Sequence, residues 1–421
     1  MRLDQLHIQN FRCYEDATFD FQPGFNLVVG VNGSGKTSLL QAVAASFNNF
    51  ANSIKGGGGI SDQDVRYVIH HFDERLRFEQ AYPLKLSAKG EAFGKDTWQI
   101  SKDRSGASAS RDIFTNVEMN KKLEIIDSGQ TFELPIFVVY KANRRWVSSN
   151  ASPERSATQR SSRLDGYLNW FDAASSTTDL ESWFIGKTLE RLQRMSKSKI
   201  PNEFDDELEW VNQAIRHSLP NSLGIEYSLE MRELVVNLDG EKILTFSSLS
   251  DGQRGMVTLI ADIARRMCLL NPQMGATVLK GTAGVVVIDE LDIHLHPAWQ
   301  RKIVTTLKNA FPRVQFIAAS HSPQIIGGLQ PGEIMLLSNG DVSHPRVSYG
   351  LDSSRVLEEV MGTSEREPEI EALLSELFST IEDNDLEKAK LQLQSLKEKA
   401  PDLPEFAGAQ ALIRRKEILG K

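Results

Sequence analysis

Apolar residues fall into alternating and continuous runs along the chain, and both kinds of run predict strands. Apolar and polar positions alternate twice within residues 1–21, which predicts a hairpin, and shorter alternating stretches at 82–133 predict a small β-lobe. Continuous apolar runs are typical of buried strands in a central sheet. Such runs lie at 25–29, 134–140, 285–288 and 314–319, and residues 334–346 suit a last strand and turn.

Apolar positions spaced three and four residues apart predict helices elsewhere. One helix is expected to run from the end of residues 30–37 to about residue 50, and another opens at about residue 251. Further helical stretches lie at 180–195, 205–217, 368–381, 386–396 and 406–419, and the last three carry apolar stripes that must be buried on the body, on another subunit or on a partner. The overall pattern predicts an α/β fold with a C-terminal α-helical tail. The predicted domains are a core at 1–50 and 240–345, an insertion at 51–239, and a helical region for docking or assembly at 346–421.

Residues 30–37 read Gly-Val-Asn-Gly-Ser-Gly-Lys-Thr, which is the pattern of a P-loop between a strand and a helix. Glycines let successive backbone N–H groups point at phosphate oxygens, and the helix N-terminus adds partial positive charge. Lys36 is expected to reach the β- and γ-phosphates of ATP, and the Thr37 hydroxyl to bind Mg²⁺. The alternative is a chance glycine-rich turn. The predicted nucleotide-binding residues here are Gly30, Asn32, Gly33, Ser34, Gly35, Lys36, Thr37 and Ser38.

Residues 249–254, the signature segment, read Leu-Ser-Asp-Gly-Gln-Arg and precede a run with helical spacing. A phosphate at a helix N-terminus gains from free N–H groups and from the helix dipole. Ser250, Gly252 and Gln253 lie at the place where such a phosphate would bind. An ordinary polar turn that caps a helix is the alternative. Asp251 would be unfavourable beside a phosphate unless it points outward.

The strand at 285–288 ends in the Walker B carboxylates, Asp289 and Glu290. Asp289 is expected to hold Mg²⁺, and Glu290 to orient or deprotonate the attacking water. His321 follows the strand at 314–319, at the end of a parallel strand where ligands bind, although a capping or core histidine is the alternative. The predicted catalytic residues are thus Lys36, Glu290 and His321, and the predicted metal ligands are Thr37 and Asp289.

Residues 291–297 read Leu-Asp-Ile-His-Leu-His-Pro, so two histidines and an aspartate alternate directly after the Walker B carboxylates. The sequence supplies no third and fourth ligand at a spacing that zinc requires. We therefore predict no zinc site in this segment.

The composition bounds the class of protein. The 421 residues are 40% hydrophobic and 25% charged, which is typical of a globular chain. The formal net charge of −8 argues against broad, non-specific binding to nucleic acid. Cys13 and Cys268 are too few for a disulfide framework, and no apolar run approaches the roughly 18 residues of a membrane span. We expect a soluble cytoplasmic protein.

Positive charge is concentrated in residues 141–163, which contain one carboxylate, Glu154. The six cations of this segment are Lys141, Arg144, Arg145, Arg155, Arg160 and Arg163. A solvated loop and a contact surface for the phosphates of nucleotide or nucleic acid are both open. Arg12, at the turn of the N-terminal hairpin, is either a nucleotide contact or a plain surface residue. The glycine run at 55–59 predicts a mobile linker.

Together these motifs resemble the ATP-binding-cassette (ABC) ATPases and the SMC, RecF and OLD-like class of AAA-family ATPases. The family signature is Leu-Ser-Gly-Gly-Gln, so Asp251 is a departure from it. The resemblance implies an ABC-type ATPase head with a mixed or parallel sheet, in which ATP lies between the P-loop of one subunit and the signature segment of another. It also implies that residues 291–297 cross the dimer interface and that His321 contacts the γ-phosphate.

Two features of that family are missing from the sequence. The glutamine that usually joins the Mg²⁺ shell has no clear counterpart after Tyr140. The helical stretches at 180–195 and 205–217 are too short for long coiled-coil arms.

Residues 349–362 read Tyr-Gly-Leu-Asp-Ser-Ser-Arg-Val-Leu-Glu-Glu-Val-Met-Gly. This stretch resembles the PtuA family, which comprises the ATPase subunits of Septu and retron-associated anti-phage systems. The resemblance implies a homodimer or higher oligomer that senses or regulates, and that acts with a separate HNH nuclease of the PtuB kind. In a retron, a reverse transcriptase and its RNA–DNA product would be further partners. The sequence shows neither the Glu plus Asp-x-Asp domain of OLD nucleases nor a His-Asn-His motif, so we expect no nuclease activity from this chain.

Two other functions stay open at this stage. A RecF- or SMC-like repair or recombination ATPase would bind DNA directly. The cations at 141–163 could contact DNA phosphates, so this alternative stays open. A P-loop ATPase of small-molecule metabolism is disfavoured by the signature segment and by the Ser-His-Ser-Pro sequence at 320–323.

Overall fold

The computed structural model describes residues 1–55, 59–72, 75–111, 124, 131–144, 151–158, 161–173, 177–197, 205–219, 221–240, 242–338, 340–364 and 366–419. The chain divides into two compact units, Met1–Asp352 and Ser353–Lys421.

The strands all belong to the first unit. In chain order they are β1 (Arg2–Phe11), β2 (Tyr14–Asp20), β3 (Phe25–Gly30), β4 (Tyr67–Phe72), β5 (Arg75–Gln80), β6 (Leu84–Ala92), β7 (Lys95–Lys102), β8 (Ser110–Arg111), β9 (Ile136–Tyr140), β10 (Ser222–Ser228), β11 (Glu233–Leu238), β12 (Lys242–Thr245), β13 (Gly284–Ile288), β14 (Val314–Ala319), β15 (Ile334–Ser338) and β16 (Asp341–Ser343), within the described residues.

The helices lie in both units. In chain order they are α1 (Lys36–Ser46), α2 (Asn48–Lys55), α3 (Pro153–Thr158), α4 (Thr177–Lys197), α5 (Glu207–Arg216), α6 (Asp251–Leu270), α7 (Val278–Gly281), α8 (Pro297–Ala310), α9 (Pro323–Ile326), α10 (Ser353–Arg355), α11 (Pro368–Glu382), α12 (Leu386–Lys399) and α13 (Glu405–Leu419). Across the described parts of the chain, every helix is too short or too polar to span a bilayer.

A six-stranded sheet in the order β16-β15-β3-β14-β13-β9 carries the predicted nucleotide-binding elements. The pairs from β15 to β9 are parallel, and β16 runs antiparallel to β15. Strands β9, β13 and β14 are buried along their whole length, as their continuous apolar runs predict. This mixed sheet confirms the predicted α/β fold class. Because parallel strands end at the same edge of a sheet, the residues after β3, β9, β13 and β14 share that edge.

The N-terminal hairpin belongs to a second, antiparallel sheet with the order β2-β1-β6-β7-β8. Alternate residues of β1 are buried, and the second edge of β1 pairs with β6. The predicted hairpin and the predicted β-lobe therefore form one sheet, although the sequence assigned them to the core and to the insertion. Residues 112–123 and 125–130 of the predicted lobe lie outside the described residues.

The helix predicted to run to about residue 50 is in fact two helices, because α1 ends at Ser46 and α2 begins at Asn48. The ring of Phe47 packs between Trp98 and Phe137, with ring centroids 5.2 and 4.8 Å away. Burying this aromatic side chain redirects the chain at Phe47. Residues 56–58 of the predicted linker lie outside the described residues.

The insertion packs on the helix that follows the signature segment. Helices α4 and α5 confirm the helical stretches predicted at 180–195 and 205–217, and both contact the three-stranded sheet β10-β11-β12. Helix α5 also packs against α6.

The three long helices of the second unit pack on one another. Their buried residues form one core, consisting of Leu374, Leu377, Ile381, Ala389, Leu393, Leu396, Phe406, Ala409 and Ile413. The helices confirm the predicted spans, and their apolar stripes are buried against each other, an arrangement that the sequence analysis did not include among its alternatives.

Candidate nucleotide site

The P-loop joins the end of β3 to the start of α1. Gly33 and Gly35 have φ angles of +86° and +104°, which side chains other than glycine rarely adopt. Lys36 is the first residue of α1, and its Nζ donates to the carbonyl oxygens of Gly30 and Val31 at 2.9 and 3.0 Å. The N-cap residue of α1 is Gly35, which has no side chain to cap the helix. Its backbone N–H groups are thus available to a phosphate.

Two glycines of the loop are also required by close packing. A Cβ atom at Gly30 would lie 2.5 Å from Ser34 Oγ and 2.6 Å from the carbonyl oxygen of Leu337. At Gly35 it would lie 2.6 Å from the hydroxyl of Tyr14, which donates to the carbonyl oxygen of Gly35 at 3.0 Å. Strands β2 and β15 therefore support the loop from behind.

The predicted metal ligands meet beside the loop. Thr37 Oγ1 donates to Asp289 Oδ2 at 3.0 Å. The other carboxylate oxygen, Asp289 Oδ1, is buried and has no hydrogen-bond partner among the described residues, and the same holds for Ser34 Oγ. Burial raises the pKa of Asp289, while the Thr37 hydroxyl and Arg144 act in the opposite direction. A carboxylate oxygen left without a partner next to a hydroxyl is the donor set that Mg²⁺ takes in nucleotide sites, so these residues fit the ion.

The predicted base, Glu290, and the predicted γ-phosphate contact, His321, lie next to each other. His321 Nε2 is 3.8 Å from Glu290 Oε1. Burial raises the pKa of Glu290, and His321 partly offsets this effect. Burial also lowers the pKa of the Lys36 ammonium, against the attraction of Glu290 and Asp289. A carboxylate with a raised pKa is suited to accept a proton from water.

Residues 291–297 brace this edge of the sheet. Asp292 Oδ1 accepts a hydrogen bond of 2.5 Å from Ser320 Oγ, directly before His321. His296 Nδ1 accepts from the backbone N–H of Ala298 at 3.2 Å and thereby caps α8. The alternating polar residues of this segment thus hold β14 and α8 in place.

The signature segment opens α6. Ser250 Oγ accepts from the backbone N–H of Gln253 at 3.3 Å, and the Gln253 amide oxygen accepts from the backbone N–H of Ser250 at 3.1 Å. Asp251 lies outward with 75% of its side chain exposed, and it accepts from Arg254 at 2.6 Å. A Cβ atom at Gly252 would lie 2.3 Å from the carbonyl oxygen of His294, so α6 approaches residues 291–297 closely at this glycine.

Much of the chain matches a known protein family. Residues 25–327 match the AAA_21 family, which is described as "AAA domain, putative AbiEii toxin, Type IV TA system". The chain belongs to this family. Because the family is one of AAA domains and the site holds a P-loop and both Walker B carboxylates, this AAA_21 chain is an ATPase.

The chain is similar to ATPases of defence systems over most of its length and to a RecF protein over a short part. The chain is 26% identical to the "Retron Ec83 probable ATPase" of Escherichia coli, over 88% of this chain and 78% of that protein. It is 23% identical to the "Septu protein PtuA" of Bacillus thuringiensis, over 92% and 91%. The "DNA replication and repair protein RecF" of Pectobacterium atrosepticum is 37% identical over 22% of this chain and 26% of that protein. The retron and Septu relatives confirm the resemblance to PtuA that the sequence motifs indicate.

Arg12 and the signature segment are placed differently from the P-loop residues. Arg12 donates to Asp64 Oδ1 through Nε at 3.0 Å and through a terminal nitrogen at 2.7 Å, so it is engaged in an ion pair. The signature segment lines an open cleft with residues 294–299, and the described residues that line this cleft include none from the P-loop. The two halves of the predicted ATP site are therefore not brought together at this cleft within one AAA_21 chain.

The cations of residues 141–163 do not form one continuous basic surface in the described part of the segment. Lys141 lies 3.4 Å from Asp172 Oδ2, and Arg163 donates to the carbonyl oxygens of Leu270 and Phe132 at 2.8 and 2.6 Å. Arg155 is exposed on α3. Residues 145–150 and 159–160 lie outside the described residues, and these include two of the six cations.

Sequence reasoning missed the role of Arg144 in this site. Its guanidinium is buried, with 6% of the residue exposed, and it donates to the carbonyl oxygens of both Asp289 and Glu290. The sequence offered one indication of this role, the position of Arg144 just after β9. The resemblance to ABC ATPases predicted a Mg²⁺-shell glutamine at that place.

Proposed function

We propose that this chain is the ATP-binding and ATP-hydrolysing sensor or regulatory subunit of a bacterial anti-phage defence complex of the Septu or retron kind. In this proposal two copies dimerise with ATP held between the P-loop of one and the signature segment of the other. The dimer controls a separate HNH nuclease of the PtuB kind. The retron and Septu relatives support the system, and the site geometry supports the dimer.

The observation that carries the dimer is the lining of the cleft at the signature segment. Ser250, Gly252 and Gln253 line the cleft with His294 and Trp299, and the described lining residues include none from the P-loop. The N-terminus of α6 also lies at this cleft, although Ser250 and Gln253 already form a capping box there, as in an ordinary capped helix. A second copy related by a two-fold axis would supply the missing P-loop to each cleft.

We expect Glu290→Gln to trap the ATP-bound dimer, because this change removes the base but keeps the P-loop and the Mg²⁺ ligands. Size-exclusion chromatography with light scattering should show a dimer with ATP and Mg²⁺ and a smaller species without them. Turnover of Glu290→Gln at the wild-type rate would show that Glu290 is not the base.

The same chromatography tests the signature segment in the Glu290→Gln background. Ser250→Arg should abolish the ATP-dependent dimer, because the long side chain occupies the place of the opposing γ-phosphate. Ser247→Arg is the matched control, since Ser247 is also exposed but precedes the signature segment. Loss of the dimer in both variants would contradict a specific role of Ser250.

The proposed partners are tested by gentle affinity purification of the chain from its native cells, with partners counted by mass spectrometry. A stoichiometric small HNH protein, alone or with a reverse transcriptase and its RNA–DNA product, is the expected result. Recovery of the chain alone, or with recombination proteins on DNA, would contradict the defence assignment.

The second candidate is a RecF-like ATPase that binds DNA directly, and the RecF relative favours it over a short part of the chain. The net charge of −8 and the internal pairing of Lys141 and Arg163 weigh against it. A DNA-binding titration at several salt concentrations separates the two, because phosphate contacts give a steep dependence of the association constant on salt. A slope near zero, or no binding, excludes direct clamping of DNA.

A further inference from the structure

The backbone at Glu290 adopts an unusual conformation. Its φ angle is +49°, in the left-handed region that residues with side chains rarely enter. Such a conformation is strained and persists only where the surroundings hold it. Glu290 follows directly after β13 and Asp289, so this conformation sets where the proposed base leaves the sheet.

Arg144 contacts both peptide groups at this strained position. One terminal nitrogen donates to the carbonyl oxygen of Asp289, and the other donates to the carbonyl oxygen of Glu290 at 2.7 Å. The planar guanidinium fixes two acceptors in a set geometry, which a lysine ammonium cannot do. The pair of carbonyl oxygens that Arg144 holds thus brackets the residue with positive φ.

The support of Arg144 is itself rigid. The residue lies in a turn at the end of β9, with its backbone N–H donating to the carbonyl oxygen of Lys141 at 3.3 Å. Strand β9 pairs with β13, and the backbone N–H of Asp289 donates to the carbonyl oxygen of Tyr140 at 2.8 Å. Burial lowers the pKa of Arg144 to about 10, so the guanidinium keeps its charge near neutral pH.

We infer that Arg144 is a positioning residue for ATP hydrolysis, which holds the main chain of Asp289 and Glu290 so that the Glu290 carboxylate meets the attacking water. This inference rests on the proposed role of Glu290 as the base. Arg144 acts through the two carbonyl oxygens and has no contact of its own with the reacting atoms in this role.

The test compares Arg144→Met with Arg163→Met in the full-length protein. Arg163 is the matched control, because its guanidinium also donates to two main-chain carbonyl oxygens but those belong to Leu270 and Phe132. Displacement of a catalytic group by about 1 Å costs about 100-fold in rate. We expect Arg144→Met to lower kcat by about 30- to 100-fold with the Kd for ATP within about threefold of wild type, and Arg163→Met to leave kcat unchanged.

A second readout uses the Glu290→Gln background. If Arg144 acts through Glu290, adding Arg144→Met to Glu290→Gln should lower the residual turnover by less than about twofold, because residues that act as a unit are not additive. An equal fold-loss in both backgrounds, or wild-type kcat for Arg144→Met, overturns the inference. Arg144→Lys keeps the positive charge but lacks the two fixed donors of the guanidinium, so it should also lose most of kcat. This variant replaces Arg144→Met if Arg144→Met does not fold.

The outcome is separable from the dimer proposal. If wild-type turnover per subunit is independent of protein concentration and no ATP-dependent dimer forms, the proposed dimer fails, while the kcat ratio of Arg144→Met to Arg163→Met still measures positioning. If Glu290→Gln turns over ATP at the wild-type rate, the role of the base fails and the positioning role fails with it.

Discussion

At the scale of single residues, the nucleotide site is held in place by contacts that a phosphate and a metal ion can replace. Lys36 Nζ bridges the carbonyl oxygens of Gly30 and Val31, and phosphate oxygens are stronger acceptors for an ammonium than carbonyl oxygens. Asp289 Oδ1 is buried without a hydrogen-bond partner among the described residues and would gain one from Mg²⁺. The unpartnered carboxylate oxygen and the lysine ammonium therefore fit a metal ion and a phosphate.

We expect Lys36→Ala to abolish tight ATP binding, with a loss of about 100-fold in affinity, because a charge-assisted contact to the phosphates is removed. A fluorescence titration with a labelled ATP analogue measures the change. Lys280→Ala is the control, since Lys280 is an exposed lysine on α7. Retention of tight binding by Lys36→Ala would contradict the role of the P-loop.

The P-loop residues could be predicted because each one acts through its own backbone and its sequence neighbours, as with the positive φ angles of Gly33 and Gly35. Arg144 could not be singled out, because its acceptors lie 145 and 146 residues away along the chain. The two hydrogen bonds of its guanidinium depend on the parallel pairing of β9 with β13, and no local sequence pattern reveals this pairing. Likewise, the partner of Arg12 is Asp64, 52 residues away.

At the scale of elements, α6 is tied to the central sheet by a buried ionic network. Asp262 accepts hydrogen bonds from Arg266 at 2.7 Å, from Arg265 at 2.7 Å and from the hydroxyl of Tyr140 at 2.8 Å. Tyr140 is the last residue of β9 and lies directly before the turn that holds Arg144. The helix that begins at the signature segment is therefore connected to the end of β9, which pairs with β13, the strand that precedes the Walker B carboxylates.

We expect Asp262→Asn to lower the free energy of unfolding by about 3–5 kcal/mol, because it leaves two buried guanidinium groups without their carboxylate. Burial alone would raise the pKa of Asp262, but Arg266 and Arg265 hold it below its ordinary value. The stabilisation is therefore full above the ordinary pKa near 3.9 and is lost as the pH falls through the lowered pKa.

Thermal unfolding at several pH values checks this expectation. The difference in Tm between wild type and Asp262→Asn should be constant near neutral pH and should shrink below about pH 4. Asp341→Asn, at an exposed aspartate on β16, should leave Tm unchanged. A Tm for Asp262→Asn equal to wild type at pH 7 would contradict the structural role of the network.

Elements were predicted from the sequence more reliably than their partners. The spans of α11, α12 and α13 follow their apolar spacing, whereas the burial of those stripes against one another depends on how three helices meet. The break between α1 and α2 was missed because it depends on the packing of Phe47 against Trp98 and Phe137, which lie on two different sheets.

At the scale of the whole molecule, the proposed ATP site consists of two halves. The P-loop and the Walker B carboxylates lie at the edge of the central sheet, and the signature segment lines a cleft whose described lining residues include none from the P-loop. We propose that two chains combine these halves into two identical composite sites. Mixing two inactive variants tests this proposal.

The measurement is ATP turnover by an equimolar mixture of Lys36→Ala and Ser250→Arg, each of which should be inactive alone. A mixed dimer contains one site in which both halves are wild type. Neither variant is expected to form an ATP-held dimer with itself, so turnover should appear only in the mixture. Because one of the two sites of a mixed dimer is intact, we expect at most about half of the wild-type turnover per subunit. A mixture that hydrolyses no more ATP than the two variants measured separately would contradict the composite site.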